Sequence, residues 1–209
     1  MRKLVSAVAA AALFSAGLAG VATAGGATAA PARTVPVPAH RGYTPPPIHW
    51  GGCASPMLQS VRASCGMLTV PLDYAHPDGR KIQLAVSRVK HSPAVERQGI
   101  MLVNPGGPGG SGLGTAVLKG FVPHGGGKPY DWIGFDPRGV GSSRPSLRCD
   151  GDYFATGRPS YVPTTPQIED YWQDKTVGYA VACKKANLAL LQHTDTRTWV
   201  QDMESIRKA

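Results

Sequence analysis

The sequence predicts an α/β fold in which a β-hairpin edge leads into a parallel strand–helix–strand unit. Three observations carry this. Residues 81–89 alternate, with Ile82, Leu84 and Val86 on one face and Lys81, Gln83 and Ser87 on the other. Two later segments, 98–104 and 132–136, are continuous apolar runs, the pattern of strands buried on both faces of a mostly parallel sheet. A Gly-rich turn closes each run, and the two turns start about thirty residues apart.

Each element follows in order. Residues 68–74 (LTVPLDY) read as a strand that Pro71 confines to a sheet edge, because proline has no N–H to give to a ladder. His76-Pro77-Asp78-Gly79 is a turn by composition, so 68–74 and 81–89 form the hairpin. The apolar run Ile100–Val103, a helix over 112–121 and the run Trp132–Phe135 make a βαβ unit. Residues 167–191 place Ile168, Tyr171, Tyr179, Cys183, Asn187 and Leu190 at three- and four-residue steps, a long helix with an expected break at Gly178. Thr198 with Gln201 fits a capping box that starts a last helix, with Trp199, Met203 and Ile206 as its apolar stripe. That helix reaches Ala209 with no C-cap and with its stripe expected to be unpaired, which reads as a cut.

The N-terminus reads as an export signal. Met1-Arg2-Lys3 is positive, residues 4–21 are mostly small and apolar, and Ala22-Thr23-Ala24 has the small-x-small pattern of a cleavage site. The organisation expected is a signal peptide at 1–24 and an Ala/Pro-rich linker at 25–47. The N-terminal half of the sheet core follows at 48–145, then a helical segment at 146–209. The mature protein is expected outside the cell, with no membrane attachment after cleavage. The four cysteines, Cys53, Cys65, Cys149 and Cys183, are then disulfide candidates with three possible pairings, and the sequence-local one, 53–65 and 149–183, is favoured. No close Cys-x-x-Cys or Cys/His spacing supports a metal site, and no cofactor is expected. The formal charge of +9 falls to +7 without Arg2 and Lys3. The remaining cations are mostly scattered singly, which argues against nucleic acid as a partner.

The chemistry lies in the two turns, Asn104 to Gly112 and Gly134 to Ser143. Glycines in the first free backbone N–H groups to point at an anion. Together the turns resemble those of the proline iminopeptidase and tripeptidyl aminopeptidase group of α/β-hydrolases, with a Gly-Gly-Pro-Gly loop followed by Asp-x-Arg-Gly-x-Gly-x-Ser. The match is strongest to the secreted actinobacterial tripeptidyl aminopeptidase branch. Cys65-Gly-x-Leu-x-Val-Pro-Leu-Asp-Tyr74 and Asp202-Met203-x-x-Ile206-Arg207 belong to the same resemblance. It implies a serine exopeptidase acting on peptide substrates, with Gly106 or Gly107 giving one oxyanion-hole donor. Asp136 and Arg138 read as structural, tying loops together above the sheet. It also implies a nucleophile on Gly-x-Ser-x-Gly, then an acid and a histidine, and no such motif occurs in the 209 residues. No catalytic residue is therefore present, and the chain is expected to be a truncated, inactive portion of a hydrolase.

Other readings stand beside this one. The chain could be an inactive secreted interaction module burying Trp199, Met203 and Ile206 against a partner of undetermined stoichiometry. It could serve an esterase-type hydrolase. Gly107-x-Gly109-x-x-Gly112 after a strand also fits a dinucleotide fingerprint, which Pro105, Pro108 and the export signal oppose. His124-Gly-Gly-Gly127 resembles an esterase oxyanion loop but follows the helix rather than the buried strand. His76, His91 and His193 are expected to be solvated.

Overall fold

The computed structural model describes residues 43–107 and 109–209. The expected signal peptide, most of the 25–47 linker and Pro108 lie outside the described residues. From Tyr43 onward the chain already belongs to the fold. The Tyr43 hydroxyl donates to the Thr69 carbonyl at 2.6 Å, and Pro45 is buried.

Five strands form one mixed sheet: β1 (Gly51–Gly52), β2 (Ser64–Pro71), β3 (Lys81–Val89), β4 (Gly99–Val103) and β5 (Tyr130–Phe135), in the order β1-β2-β3-β5-β4. Strands β2 and β3 are antiparallel, with Leu68 opposite Leu84 and Val70 opposite Ile82. Strand β5 runs antiparallel to β3 and parallel to β4. The hairpin and the parallel crossover are both present. Strand β2 begins earlier than expected and takes β1 on its outer side only at Ser64 and Cys65. Pro71 stands where no strand needs its N–H.

The period-2 pattern explains the core. Leu68, Val70, Ile82, Leu84, Val86, Ile133 and Phe135 share one cluster with Leu190 and Ile206 of the helices. Val89, Trp132 and Ala116 form a smaller cluster. Each buried aliphatic side chain contributes about 1.5–3 kcal/mol relative to exposure. One assignment on β3 changes: Ser87 is fully buried, donating to the Leu113 carbonyl at 2.6 Å.

The two apolar runs differ in place. Strand β5 lies between β3 and β4, and Asp131 through Phe135 are buried. Strand β4 was expected to be buried on both faces but is the edge of the sheet, half-exposed, with Met101 at 37%. The crossover between them is 3₁₀ over Leu113–Phe121 rather than an α-helix. It runs so close to the sheet that a Cβ at Gly134 would stand 2.5 Å from the Gly112 carbonyl oxygen and 2.7 Å from that of Leu113. Glycine at 134 is what permits the approach.

Among the described residues three α-helices complete the fold: α1 (Pro56–Ser60), α2 (Pro166–Leu191) and α3 (Thr196–Lys208). Helix α2 starts at an N-cap Thr165 and passes through Gly178 unbroken, and its one irregular residue is Asn187, at φ −137 and ψ 18. Intrahelical bonds on both sides carry a single glycine, whose helix cost is only about 1 kcal/mol. Only Leu190 of α2 is buried, and a Cys149–Cys183 disulfide joins the helix to the segment before it. Helix α3 is capped by Asp195, whose side chain accepts from the Thr198 N–H at 3.1 Å, so Thr198 is inside the helix and not its cap. Its stripe is not unpaired: Ile206 is buried against the sheet, and Met203 packs on the same core.

Candidate functional site

The Gly-rich turns lie side by side because β4 and β5 are parallel neighbours, so both chains leave the sheet at the same end. In the first turn Gly106, Gly107 and Gly109 have φ of +71, +95 and +93, a region that side chains with a Cβ avoid. The Gly106 N–H donates to Asn104 Oδ1 at 3.2 Å, while the exposed Gly107 N–H meets no acceptor among the described residues.

Asp136, 1% exposed, joins the two turns. Its Oδ1 accepts from the Ser111 hydroxyl at 2.6 Å and the Gly112 N–H at 2.9 Å, and its Oδ2 from the Ser142 N–H at 2.7 Å. The Asp136 carbonyl takes the Ser143 hydroxyl at 2.6 Å, and that oxygen accepts the Ala85 N–H at 3.0 Å. One carboxylate thus holds the end of the first turn against the start of the second. Ser111 and Ser142 also border a mostly apolar cavity of about 680 Å³, with Met57, Met67 and Leu113 among its walls.

Arg138 does the tying below. Its Nε and Nη2 donate to Asp202 at 2.7 Å each, and its remaining bonds reach the carbonyls of Leu72, His193 and Pro71. Every guanidinium donor is used, as a fully buried arginine requires. Tyr74 donates to Asp202 Oδ1 at 2.9 Å and meets the Ser205 hydroxyl at the same distance. Burial pushes the Asp202 carboxyl upward, and the bonds from Arg138 and Tyr74 oppose that push. The Tyr74 phenol is held well above its ordinary value, first by burial and then by the Asp202 charge.

Comparison with known proteins finds similar hydrolases. The tripeptidyl aminopeptidase of Streptomyces coelicolor is 38% identical over 168 residues, covering 78% of this chain and 31% of that protein. Serine protease Hip1 of Mycobacterium tuberculosis is 34% identical over 176 residues, covering 78% and 32%. Carboxylesterase B of the same organism is 32% identical over 173 residues, covering 78% and 33%. The chain is a relative of these hydrolases. It spans about a third of the length of the curated relatives it matches. No protein-family model matches it.

In this hydrolase relative the described residues hold no assembled triad. No serine hydroxyl among them is hydrogen-bonded to a histidine; Ser111 and Ser143 are committed to Asp136. All four cysteines are paired, Cys53 with Cys65 and Cys149 with Cys183, the sequence-local arrangement. The dinucleotide reading fails on geometry. The N–H of Gly112 and, at 3.4 Å, of Leu113 point at the Asp136 carboxylate, where a bound pyrophosphate would need them. His124 sits at φ 54 in a short 3₁₀ turn, Pro123–Gly125, before β5 and so away from the glycine turns.

Sequence reasoning missed one polar cluster. His91 is half-buried and paired rather than freely solvated: its backbone N–H reaches Asp131 Oδ1 at 2.7 Å and its ring Nδ1 lies 2.9 Å from the same atom, while Arg97 Nε donates to Oδ2 at 2.8 Å. Burial raises the Asp131 carboxyl, but the His91 backbone and ring and Arg97 outweigh it and bring it down to about 2. Asp131 is the second residue of β5 and Asp136 follows its end, so at about 3.3 Å per residue the two lie roughly 16 Å apart. This Asp–His pair therefore cannot serve the glycine turns. No spacing in the sequence announced it, since His91 and Arg97 lie in the loop between β3 and β4 and Asp131 lies in β5. His76 is exposed and paired with Asp73, and the His193 carbonyl receives Arg138.

Proposed function

We propose that this chain supplies the first half of the sheet and one donor of the oxyanion hole in a secreted serine hydrolase of tripeptidyl aminopeptidase type. The observation that carries the reading is the Gly107 N–H, exposed and without an acceptor among the described residues, in a turn of positive-φ glycines that Asp136 holds at the ends of two parallel strands. Such a donor stabilises the negative oxygen that forms when a serine attacks a carbonyl, and losing one donor costs about a hundred- to a thousandfold in rate. Residues 48–145 carry this function. Residues 146–209 lead toward a nucleophile elbow that these 209 residues do not contain, so the chain by itself performs no acyl transfer. The relatives named as peptidases support a peptide substrate. The relative named Carboxylesterase B supports an esterase using the same hole as the second reading.

Two disulfides among the described residues fit an oxidising, extracellular destination, and no helix among them is long and apolar enough to cross a membrane. Export through residues 1–24 accounts for both. The interaction-module reading loses its main premise, because Ile206 and Met203 are covered by the sheet of the same chain.

The test is active-site labelling. The 209-residue chain should take up no fluorophosphonate, and the protein secreted by the native source should label at a mass above 21.9 kDa and release tripeptides from peptide anilides. Stoichiometric labelling of the 209-residue chain would overturn the proposal, and turnover of simple esters without peptide anilides would select the esterase.

A further inference from the structure

The first glycine turn is closed at its neck and open at its tip. Two residues past the end of β4, the Pro105 ring packs against Gly112. A Cβ at Gly112 would stand 2.9 Å from two ring carbons and would overlap the Phe135 carbonyl oxygen, so glycine there lets the neck close. Asp136 holds the far side of the neck, taking the Ser111 hydroxyl and the Gly112 N–H. Nothing comparable grips the residues between. A Cβ built at Gly106, Gly107 or Gly109 would meet no atom within 4 Å, so no neighbour packs on that side of the tip. Among the described residues a single hydrogen bond reaches Gly106, Gly107, Gly109 or Gly110: the one from the Gly106 N–H to Asn104 Oδ1, at 3.2 Å.

Glycine has more conformational freedom to lose than any other residue, so a run of glycines keeps one geometry only where something outside it holds on. Asn104 is suited to do so. It directly follows β4, whose last residue Val103 is paired with Gly134 of β5, so its backbone starts from the sheet. Its short carboxamide reaches the N–H two residues on, as asparagine does in turns. Pro105 between them has a ring-locked φ and no N–H to compete for the same oxygen.

We infer that Asn104 is a positioning residue: by holding the Gly106 N–H it fixes the tip and aims the Gly107 N–H at the oxygen on which negative charge develops, an assignment that rests on the oxyanion-hole role proposed for this turn. Asn104 acts through Gly106 and touches no reacting atom. The aim matters only once the charge forms, so Asn104 serves kcat and leaves KM nearly alone.

Two measurements test it. In the 209-residue chain Asn104→Ala should leave the thermal midpoint unchanged, because the side chain is exposed, while the Gly106 and Gly107 amide resonances shift and the temperature coefficient of Gly106 becomes that of a free amide. Asn104→Asp, which keeps an oxygen in the same place, should restore the bonded coefficient. In the protein secreted by the native source, Asn104→Ala should lower kcat on peptide anilides about tenfold or more with KM within about twofold, the scale of a misplaced donor. Asn104→Ser, whose hydroxyl makes such a bond more weakly, should recover part of that loss. A residue that only supported the fold would move the thermal midpoint and would not separate kcat from KM. Unchanged kcat after Asn104→Ala, a loss carried by KM, or a Gly106 amide indifferent to the substitution would overturn the assignment. Absence of any peptide or ester hydrolysis by the unmutated native protein would overturn the oxyanion-hole role itself.

Discussion

Arg138 and Asp202 face each other across the fold as a two-pronged ion pair, both bonds 2.7 Å, with side-chain exposures of 0% and 2%. The pair joins the turn after β5 to α3, and through the Pro71 and Leu72 carbonyls it also grips the end of β2. Three elements distant in sequence therefore depend on one guanidinium.

The first prediction concerns that dependence. Removing one member of a buried pair strands the other charge, at a cost of about 3–5 kcal/mol, whereas replacing both by apolar groups of similar volume is often nearly neutral. Asp202→Ala should lower stability by that amount in urea unfolding. Arg138→Met combined with Asp202→Leu should cost much less than the two single changes added together. Additive losses would mean the two residues act independently.

A second prediction tests the clamp on the glycine turns. A Cβ at position 141 would stand 2.3 Å from Asp136 Oδ2, and Gly141 sits at φ +53. The carboxylate is anchored by its other bonds and cannot retreat. Gly141→Ala should destabilise by about 1–3 kcal/mol. It should also shift the amide resonances of Ser111 and Gly112 more than those of β2. Unchanged Ser111 and Gly112 signals would show that Asp136 does not couple the turns.

The third prediction is a pH dependence. The Asp131 carboxyl is depressed to about 2 in the folded protein, below the ordinary value near 3.9 of an unfolded chain. Its stabilisation is complete above pH 4 and is lost as pH falls from there through 2, because protonation breaks the His91 and Arg97 bonds. Denaturation midpoints measured at pH 4, 3 and 2 should fall more steeply for the wild-type chain than for Asp131→Asn. Parallel curves would show that Asp131 contributes nothing to acid sensitivity.

Helix α2 supports the fourth. It buries Leu190 alone and is held to the preceding segment by Cys149–Cys183 and by the Asn187 side chain, which donates to the Arg148 carbonyl at 2.9 Å. Closing a loop of this length is worth about 3–4 kcal/mol in the chain-entropy account. Replacing both cysteines by serine should open residues 150–188 to limited proteolysis while hydrogen exchange in β2, β3 and β5 stays slow. Loss of protection in those strands as well would mean that α2 unfolds together with the core.

Much of this was legible in the chain itself. The alternation of Ile82, Leu84 and Val86, the apolar runs ending at Val103 and Phe135, and the glycines of both turns each reflect a rule that acts over a few residues. Those rules are backbone sterics and the two-residue period of a strand, and they do not depend on the rest of the fold. The tertiary structure decided what needs a neighbour from elsewhere. It placed β4 at the edge and β5 in the centre, which two similar apolar runs could not distinguish. It turned Ser111 toward Asp136, gave the cap of α3 to Asp195 instead of Thr198, and covered Ile206 with the sheet. It gathered His91 and Arg97 around Asp131, and it stacked Arg88 on the Trp50 ring. A residue's own type sets what bonds it can make, but which partner arrives is set by strand order and helix docking, and these are properties of the whole chain.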